Sequence, residues 1–373
     1  MTETQEEGVT LWNRLPNELK YIVVEKLDIV SRIKMARCSL STLLVVDDSK
    51  KLFRIVRLDL MIKNGVTRWL IEEQGGNIIR VDYTQVAEGC IINTLGGKNT
   101  ILVNNPSHLD QALTDLVEVV KGPDVEIEQF RLYMTADDDN YTAERANEYF
   151  EAMVDKFGAL SHTLKIGKIN IDYSSFTVFE TDMQRGLQLL NPQSIVGIII
   201  KGAEGTILNA RNVMDCDVWT KSKQLICIPA IRPIEAFWNK NKVSTGLVVE
   251  RFDFLPTLIE IIRKNPDFEQ MSITMSYFGE ELTEEETLAD ILLVPCPPSD
   301  HILENEHPFM RTYTTVQKGL HLQMEVTDSH IKLFTVPSKK EEEDEQEDKK
   351  DTTLVKENPD EKDSANDNPV EKI

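Results

Sequence analysis

Strand-like and helix-like segments alternate along the middle of this chain, and this alternation restricts the possible folds more than any other feature of the sequence. Runs typical of buried strands occur at residues 127–134, 164–171, 194–200, 224–228, 247–252 and 270–276. Helical patterns lie beside them at residues 106–120, 142–157, 179–190, 231–238 and 253–264. The strand starts recur roughly every 20 to 40 residues, the interval of an irregular α/β repeat. The pattern therefore predicts a repeat-like α/β array.

The interval is also that of a leucine-rich-type solenoid, but the motif that defines a true leucine-rich repeat is absent. We therefore predict only an irregular, leucine-rich-like array with β-meanders at its ends. At one end, runs at residues 55–62, 66–71, 77–83 and 89–93 are separated by the turn-forming pairs Asn64-Gly65 and Gly75-Gly76. At the other end, strands at residues 310–317, 320–326 and 330–336 follow a long acidic loop at about 279–308.

The first part of the chain, residues 10–55, has a different pattern and predicts three short helices. Pro16 suits the first turn of a helix, and Leu19, Val23 and Leu27 then recur every four residues as an apolar stripe. Ser31 and Ser39 are predicted N-caps of the second and third helices. A unit of this size is marginally stable alone. Its apolar surface is expected to pack either on the rest of this chain or on another protein.

The charge of the chain is strongly negative and unevenly distributed. Of the net charge of −22, residues 338–373 contribute −7, with 14 acidic and 7 basic residues, so −15 remains on the body. An acidic body disfavours binding to nucleic acid. We predict a disordered segment at residues 1–9, one α/β domain at residues 56–336 and a disordered acidic tail at residues 337–373.

Cysteine spacing and hydropathy favour an intracellular protein. The five cysteines are scattered and form no CxxC pair, which fits reduced thiols better than disulfides or a zinc site. The first residues are acidic and polar, unlike a signal peptide, and the longest apolar run, residues 195–200, is far shorter than the roughly 20 residues of a membrane span. We therefore expect a cytoplasmic or nuclear location and no membrane contact.

Motifs that would carry catalysis are missing from the sequence. The six histidines show no metal-ligand spacing, residues 96–100 depart from a phosphate loop, and residues 137–140 lack the glycine and glutamate of a calcium loop. We expect no catalytic residue, no cofactor and no metal. An enzyme would require the fold to bring together polar groups such as His162, Asp172 and Cys227.

The segment LPNELKYIVVEKLDIVSRIKMARCSLSTLLVV resembles an F-box. The matching positions are Leu15, Pro16, Glu18, Leu19, Val23, Leu27, Asp28, Met35, Cys38 and Ser39. The sequence departs from the F-box pattern at Ile29, Arg32 and Thr42. The segments SRIKMARCS, YTQVAEGC and VWTKSKQLICI also resemble nematode F-box proteins that carry an FTH domain. The resemblance extends over residues 10 to about 336.

This resemblance implies an α+β fold in which a small three-helix F-box precedes the α/β domain. It also implies a non-catalytic function, that of the substrate-recognition subunit of an SCF-type ubiquitin ligase. The F-box would dock on a Skp-family adaptor and through it on a cullin and a RING protein, while the α/β domain binds the target protein. The implied adaptor contacts are Leu15, Pro16, Glu18, Leu19, Val23 and Leu27. The alternative is an α/β protein-binding module with a degenerate F-box that acts outside ubiquitination.

Overall fold

A computed structural model describes residues 11–337 of the protein, apart from several internal segments. The gaps are residues 28–30, 33–34, 36–37, 40–41, 43, 47–53, 95–99, 105–106, 135–142, 174–179, 203–205, 250–251, 278–300, 304–308, 317–318 and 328–329. The predicted disorder of residues 1–9 and of the acidic tail beyond Pro337 lies outside the described residues.

Within the described residues the chain forms one large mixed sheet of 16 strands with helices between them. The strands are β1 Arg54–Lys63, β2 Val66–Glu73, β3 Ile78–Val86, β4 Gly89–Thr94, β5 Thr100–Val103, β6 Glu126–Met134, β7 Lys165–Tyr173, β8 Gly197–Gly202, β9 Ile207–Asn209, β10 Gln224–Arg232, β11 Lys242–Val249, β12 Gln270–Tyr277, β13 His301–Leu303, β14 Phe309–Thr314, β15 Leu320–Val326 and β16 His330–Pro337. The helices are α1 Leu11–Arg14, α2 Asn17–Lys26, α3 His108–Val120, α4 Ala143–Gly158, α5 Glu180–Gln188, α6 Arg211–Met214, α7 Asp217–Lys221 and α8 Leu255–Arg263, with a 3-10 turn at Ile234–Phe237. The predicted mixture of helices and a sheet is confirmed.

The middle of the sheet is parallel, and its strands lie side by side in chain order. The order is β1, β6, β7, β8, β10, β11 and β12, and each neighbouring pair is parallel. The short strand β9 pairs with the end of β10. Because the strands are parallel, their amino ends share one edge of the sheet and their carboxyl ends the other. The loops that precede β10, β11 and β12 therefore meet at one edge.

Both ends of the parallel region continue as antiparallel strands. On one side β1 pairs with β2, and β3, β4 and β5 follow in turn. On the other side β12 pairs with β16, which leads through β15 and β14 to β13. The predicted turn at Asn64-Gly65 is present, with Gly65 at φ 69°, a conformation that glycine adopts without steric cost.

Helices cover one face of the sheet, and the hydrophobic core lies between these helices and the sheet. Along β6, Phe130, Leu132 and Met134 are buried, while Arg131 and Tyr133 between them are partly exposed. Such alternation is typical of a strand with one buried face. Helix α3 contacts β2, β3 and β4, and α3, α4 and α5 contact one another in chain order.

Two of these helices approach each other closely. A Cβ atom added to Gly186 of α5 would lie 2.9 Å from the ring of Phe150 in α4. Phe150 is itself 1% exposed. A larger residue at position 186 would therefore have to displace a core aromatic ring.

Several predicted elements differ from the observed ones. The predicted loop at residues 279–308 contains strand β13, and the predicted strand at 247–252 begins five residues earlier, at Lys242. The predicted helix at 231–238 is only a 3-10 turn, because β10 continues through Arg232 to pair with β9. Strand β1 begins at Arg54, two residues before the predicted domain boundary. In each case pairing with a neighbouring strand of the sheet, rather than local preference, decides the outcome.

Hydrogen bonds between side chains fasten α3 to the antiparallel strands. The hydroxyl of buried Tyr83 donates to Asp115 Oδ2 at 2.9 Å and accepts from Trp69 Nε1 at 3.2 Å. At the start of the helix, Thr67 Oγ1 and His108 Nδ1 lie 2.8 Å apart, and His108 is 5% exposed. Burial, with a smaller contribution from the charge of Arg145, lowers the pKa of His108 to about 4.

His108 therefore makes stability depend on acidity. Its pKa is about 4 in the folded chain and about 6.5 in the unfolded chain, so only the unfolded chain takes up this proton between those values. Stability is fully present above pH 6.5 and is lost as the pH falls towards 4, by about 3 kcal/mol in total. We expect His108→Gln to remove this part of the pH dependence.

The measurement is urea unfolding of both proteins from pH 8 to pH 4. The values at pH 7 and 8, where the wild-type imidazole is neutral in both states, give the constant offset caused by the substitution. If the two stability curves stay parallel down to pH 4, the buried neutral histidine is not the cause.

Candidate functional site

Helix α2 begins directly after Pro16, whose backbone is extended at φ −55° and ψ 148°. Pro16 is therefore the N-cap of this helix rather than a residue of its first turn, as the sequence pattern had suggested. Its carbonyl accepts hydrogen bonds from the backbone amides of Leu19 and Lys20, each at 3.1 Å. The missing amide hydrogen of proline costs nothing at this position, since the first amides of a helix have no helical acceptor.

The side of α2 that is packed inside the chain is not its most apolar side. Lys20 and Val24, four residues apart, are 9% and 0% exposed. Leu19, Ile22 and Val23 are 46%, 54% and 40% exposed. Among the described residues of this short helix, the large apolar side chains thus face outward while a lysine faces inward. We call Leu19, Ile22 and Val23 the outer face of α2.

Lys20 is accommodated in the packed side by a ring and an amide. Its ammonium lies 5.9 Å from the centre of the Trp12 ring and 3.4 Å from Asn17 Oδ1. A cation over an indole face is favourable, and the long aliphatic stem of the lysine covers apolar surface. These contacts allow Lys20 to pack inward, so the outer face of α2 can remain exposed.

The other predicted contact residues lie around the outer face. Leu15 and Leu27 are half-buried, and Pro16 and Glu18 are exposed. Leu27 follows the last helical residue and has an extended backbone, at φ −80° and ψ 144°. It therefore does not continue the helical stripe of Leu19 and Val23, which corrects that part of the sequence prediction.

Arg32 ties the end of α2 to the next helical segment. It is 5% exposed, and its guanidinium donates to the carbonyl of Leu27 at 2.9 Å and to that of Glu25 at 3.0 Å. The last carbonyls of a helix lack helical partners, and a cation is favourable there. Arg32 thus has a structural function at a position where the F-box pattern has an apolar residue.

Ser39 caps the third helical segment, as predicted. Its hydroxyl oxygen accepts from the backbone amide of Thr42 at 3.2 Å and lies 2.7 Å from the Thr42 hydroxyl. Thr42 is 3% exposed. One detail differs from prediction, since Ser31 is already helical rather than a cap, and Cys38 is exposed. Asp28, also part of the F-box pattern, lies outside the described residues.

The three polar groups named as examples for an enzyme lie on different parts of the fold. His162 lies in a bend before β7, and Asp172 lies near the far end of that strand, seven residues, or roughly 23 Å, after its first residue. Cys227 lies in β10 and is 1% exposed, and burial raises the pKa of its thiol. Among the described residues, no group of three or more His, Cys, Asp or Glu side chains could hold a metal ion.

Charged side chains on the antiparallel strands pair with each other. Asp82 of β3 lies between two arginines, 2.5 Å from Arg68 Nε and 2.9 Å from Arg80 Nη2. Burial opposes ionisation of this carboxyl group, but hydrogen bonds from Arg80 and Arg68 outweigh it and lower its pKa. Both arginines therefore have an acidic partner in the same sheet.

Comparison with known proteins adds no relative. No model of a known protein family matches the sequence, and no match was found among curated proteins. Within the described residues, none of the helices is both long and apolar enough to span a membrane.

The sequence predicted the apolar stripe of Leu19 and Val23, with Ile22 beside it, but not the inward orientation of Lys20. An apolar-periodicity pattern assigns a lysine to solvent, so it does not detect a lysine whose aliphatic stem is packed inward. The Trp12 ring beside Lys20 lies in the preceding helix, α1, so helical spacing gave no signal for this contact.

The orientation of α2 can be tested by stability. Because Val24 is fully buried, we expect Val24→Ala to destabilise the helix by about 2 kcal/mol. We expect Val23→Ala, the matched change one position earlier, to cost about 0.5 kcal/mol or less. Hydrogen exchange of the amides of residues 17–26 measures both, and equal losses would show that the outer face is packed within the chain.

Proposed function

We propose that this protein is the substrate-recognition subunit of an SCF-type ubiquitin ligase, with an F-box at residues 10–55 that docks on a Skp-family adaptor. The observation that carries the proposal is the outer face of α2, where Leu19, Ile22 and Val23 are 40–54% exposed. The F-box resemblance selects the same helix as the adaptor contact. The residues proposed to make the contact are Leu15, Pro16, Glu18, Leu19, Val23 and Leu27.

The closeness of the three exposed apolar side chains on the outer face of α2 supports a docking surface. Single exposed apolar residues are common in proteins, but three within five positions of one short helix form a patch. Burial of each is worth about 1.5–3 kcal/mol before the cost of association. Pro16 and Glu18, which are exposed beside Leu19 at the head of the helix, are available for polar and edge contacts.

Two of the three departures from the F-box pattern fall on side chains that face inward. Arg32 and Thr42 are 5% and 3% exposed, and both make hydrogen bonds within the chain. Changes at these positions therefore alter internal packing while leaving the outer face of α2 unchanged. Ile29, the third departure, lies outside the described residues.

The α/β region, residues 56–336, is the proposed target-binding domain. Its finer architecture is proposed to be a repeat-like array, irregular and leucine-rich-like. The parallel strands that lie side by side in chain order support this proposal. Such an arrangement builds an extended surface from successive loops, which suits the binding of another protein.

The proposal is tested by the affinity of the purified full chain for a purified Skp-family adaptor. We expect Leu19→Ala with Val23→Ala to weaken binding by about tenfold or more, the equivalent of 1.4 kcal/mol. Leu15→Ala with Pro16→Ala should act in the same direction. The matched control is Glu25→Ala with Lys26→Ala, two exposed positions of the same helix outside the outer face, which should leave the affinity unchanged.

Wild-type affinity in the Leu19/Val23 variant would contradict the docking surface. If the wild-type chain binds no adaptor but captures a target through residues 56–336, the second candidate applies. That candidate is an α/β protein-binding module with a degenerate F-box that acts outside ubiquitination.

A further inference from the structure

A groove of about 420 Å³ lies at the amino edge of the parallel strands. Its walls are the segments that lead into β10 and β11, together with the end of α8 and the turn before β12. The parallel ladder brings these segments together, because the amino ends of β10, β11 and β12 are neighbours.

The lining of this groove is basic. Lys221, Lys223 and Lys264 contribute three positive charges, and Asp267 contributes one negative charge. Lys221 and Lys223 are exposed and form no ion pair with any described residue, whereas Lys264 lies 3.5 Å from Glu260. The body of this chain carries a net charge of −15, the total of −22 less the −7 of residues 338–373. The positively charged groove therefore contrasts with the negative charge of the body as a whole.

A buried lysine lies under the groove wall. Lys240 is 0% exposed, and its Nζ donates to the carbonyl of Trp219 and to both the carbonyl and the hydroxyl of Ser222, the latter two at 3.1 and 3.0 Å. These contacts join the segment before β10 to the segment before β11. They fix the backbone from which Lys221 and Lys223 project.

The chain leaves the sheet beside this groove. Strand β16 runs antiparallel to β12, with Phe334 opposite Gln270 at the start of β12. The next residue, Thr335, donates its backbone amide to the carbonyl of Glu269 at 3.4 Å. The strand ends at Pro337, so residue 338 starts from the same edge of the sheet as the groove.

The sequence that follows is the most acidic stretch of the chain. Residues 341–348 contain seven acidic residues in eight positions. Pro337 belongs to β16, so the loop before β10 is three strand spacings away, about 14 Å. Residues 341–348 lie four to eleven positions after Pro337 and can span up to about 14 to 38 Å when extended. The acidic stretch can therefore reach from Pro337 across β12 and β11 to the loop before β10.

We propose that the groove binds residues 341–348 of the same chain. The contacts are ion pairs between the carboxylates of this stretch and the ammonium groups of Lys221, Lys223 and Lys264. Exposed ion pairs are weak one by one. A short tether, however, gives an effective concentration in the millimolar range, at which weak pairing is sufficient. An acidic segment of another protein would have to displace this stretch before it could use the groove.

Carbodiimide cross-linking tests the contact directly, because the reagent joins a lysine amine to a touching carboxylate. We expect amide links from Lys221, Lys223 or Lys264 to residues 341–348, found by mass spectrometry of the full chain. They should disappear in about 1 M salt, where the Debye length is about 3 Å. Lys26 and Lys168, which are also exposed, serve as controls and should show no such enrichment.

An equal mixture of ¹⁵N-labelled and unlabelled chains distinguishes the source of the acidic stretch. Links found almost entirely within one isotope form support the proposal. A mixed share of about one half, which random pairing between chains of an equal mixture produces, would overturn it in favour of a second copy of the chain. Links spread evenly over Lys26 and Lys168 would show that the stretch has no preferred site, which also overturns it.

Charge-neutralised variants give a second measurement that leaves the folded domain unchanged. The test variant is Glu341→Gln, Glu342→Gln, Glu343→Gln and Asp344→Asn. The control neutralises four acids further along, with Glu357→Gln, Asp360→Asn, Glu361→Gln and Asp363→Asn. Amide exchange of residues 220–223 and 238–241 should rise up to about tenfold in the test variant only, for a dissociation constant near 0.1 mM. Identical exchange in both variants would refute the contact.

Discussion

The parallel hydrogen-bond ladder from β1 to β12 is the constraint on which the rest of the structure depends. Each of its strands has a partner on both sides, so none can shift its register without breaking two ladders. The ladder fixes which loops are neighbours. It places the segments before β10, β11 and β12 at one edge, and it returns the chain to that edge through antiparallel β16. Residues separated by more than a hundred positions in sequence, such as Lys223 and Pro337, thereby come to the same edge of the sheet.

The first helices follow a different physical rule, because a small unit cannot bury all of its apolar residues. Helix α2 packs Val24 and the stem of Lys20 inward and leaves Leu19, Ile22 and Val23 in contact with water. Polar groups complete the internal packing, with Arg32 on the last carbonyls of α2 and Ser39 at the start of the next helical segment. Internal hydrogen bonding thus stabilises the unit without using the outer face of α2. A partner that buries this face adds to packing that already exists.

The sequence predicted those parts of the fold in which local preference and tertiary pairing agree. Residues 108–120 have a helical period and the N-cap Ser107, and the Asn64-Gly65 pair requires a positive φ, so both elements were found. Prediction was wrong where strand pairing decides the backbone, as in the end of β10, which pairs with β9, and in β13, which pairs with the next strand, β14. For the candidate site, periodicity found Leu19 and Val23 but placed Leu27 on the same stripe, since it does not show where a helix stops. The groove lysines gave no signal, because only the ladder brings residues 221, 223 and 264 together.

Electrostatic interactions couple the acidic residues 341–348 to the body of the chain. An acidic body repels an acidic segment at long range, and salt screens that repulsion beyond about 8 Å under physiological conditions. At short range, the groove presents two lysines without acidic partners among the described residues, above a fixed backbone. Residues 341–348 are therefore repelled by the net charge of the body and attracted by the groove lysines close to their point of attachment. A basic groove on an acidic body selects an acidic segment more sharply than a uniformly basic surface would, because the like charge of the body disfavours alternative sites.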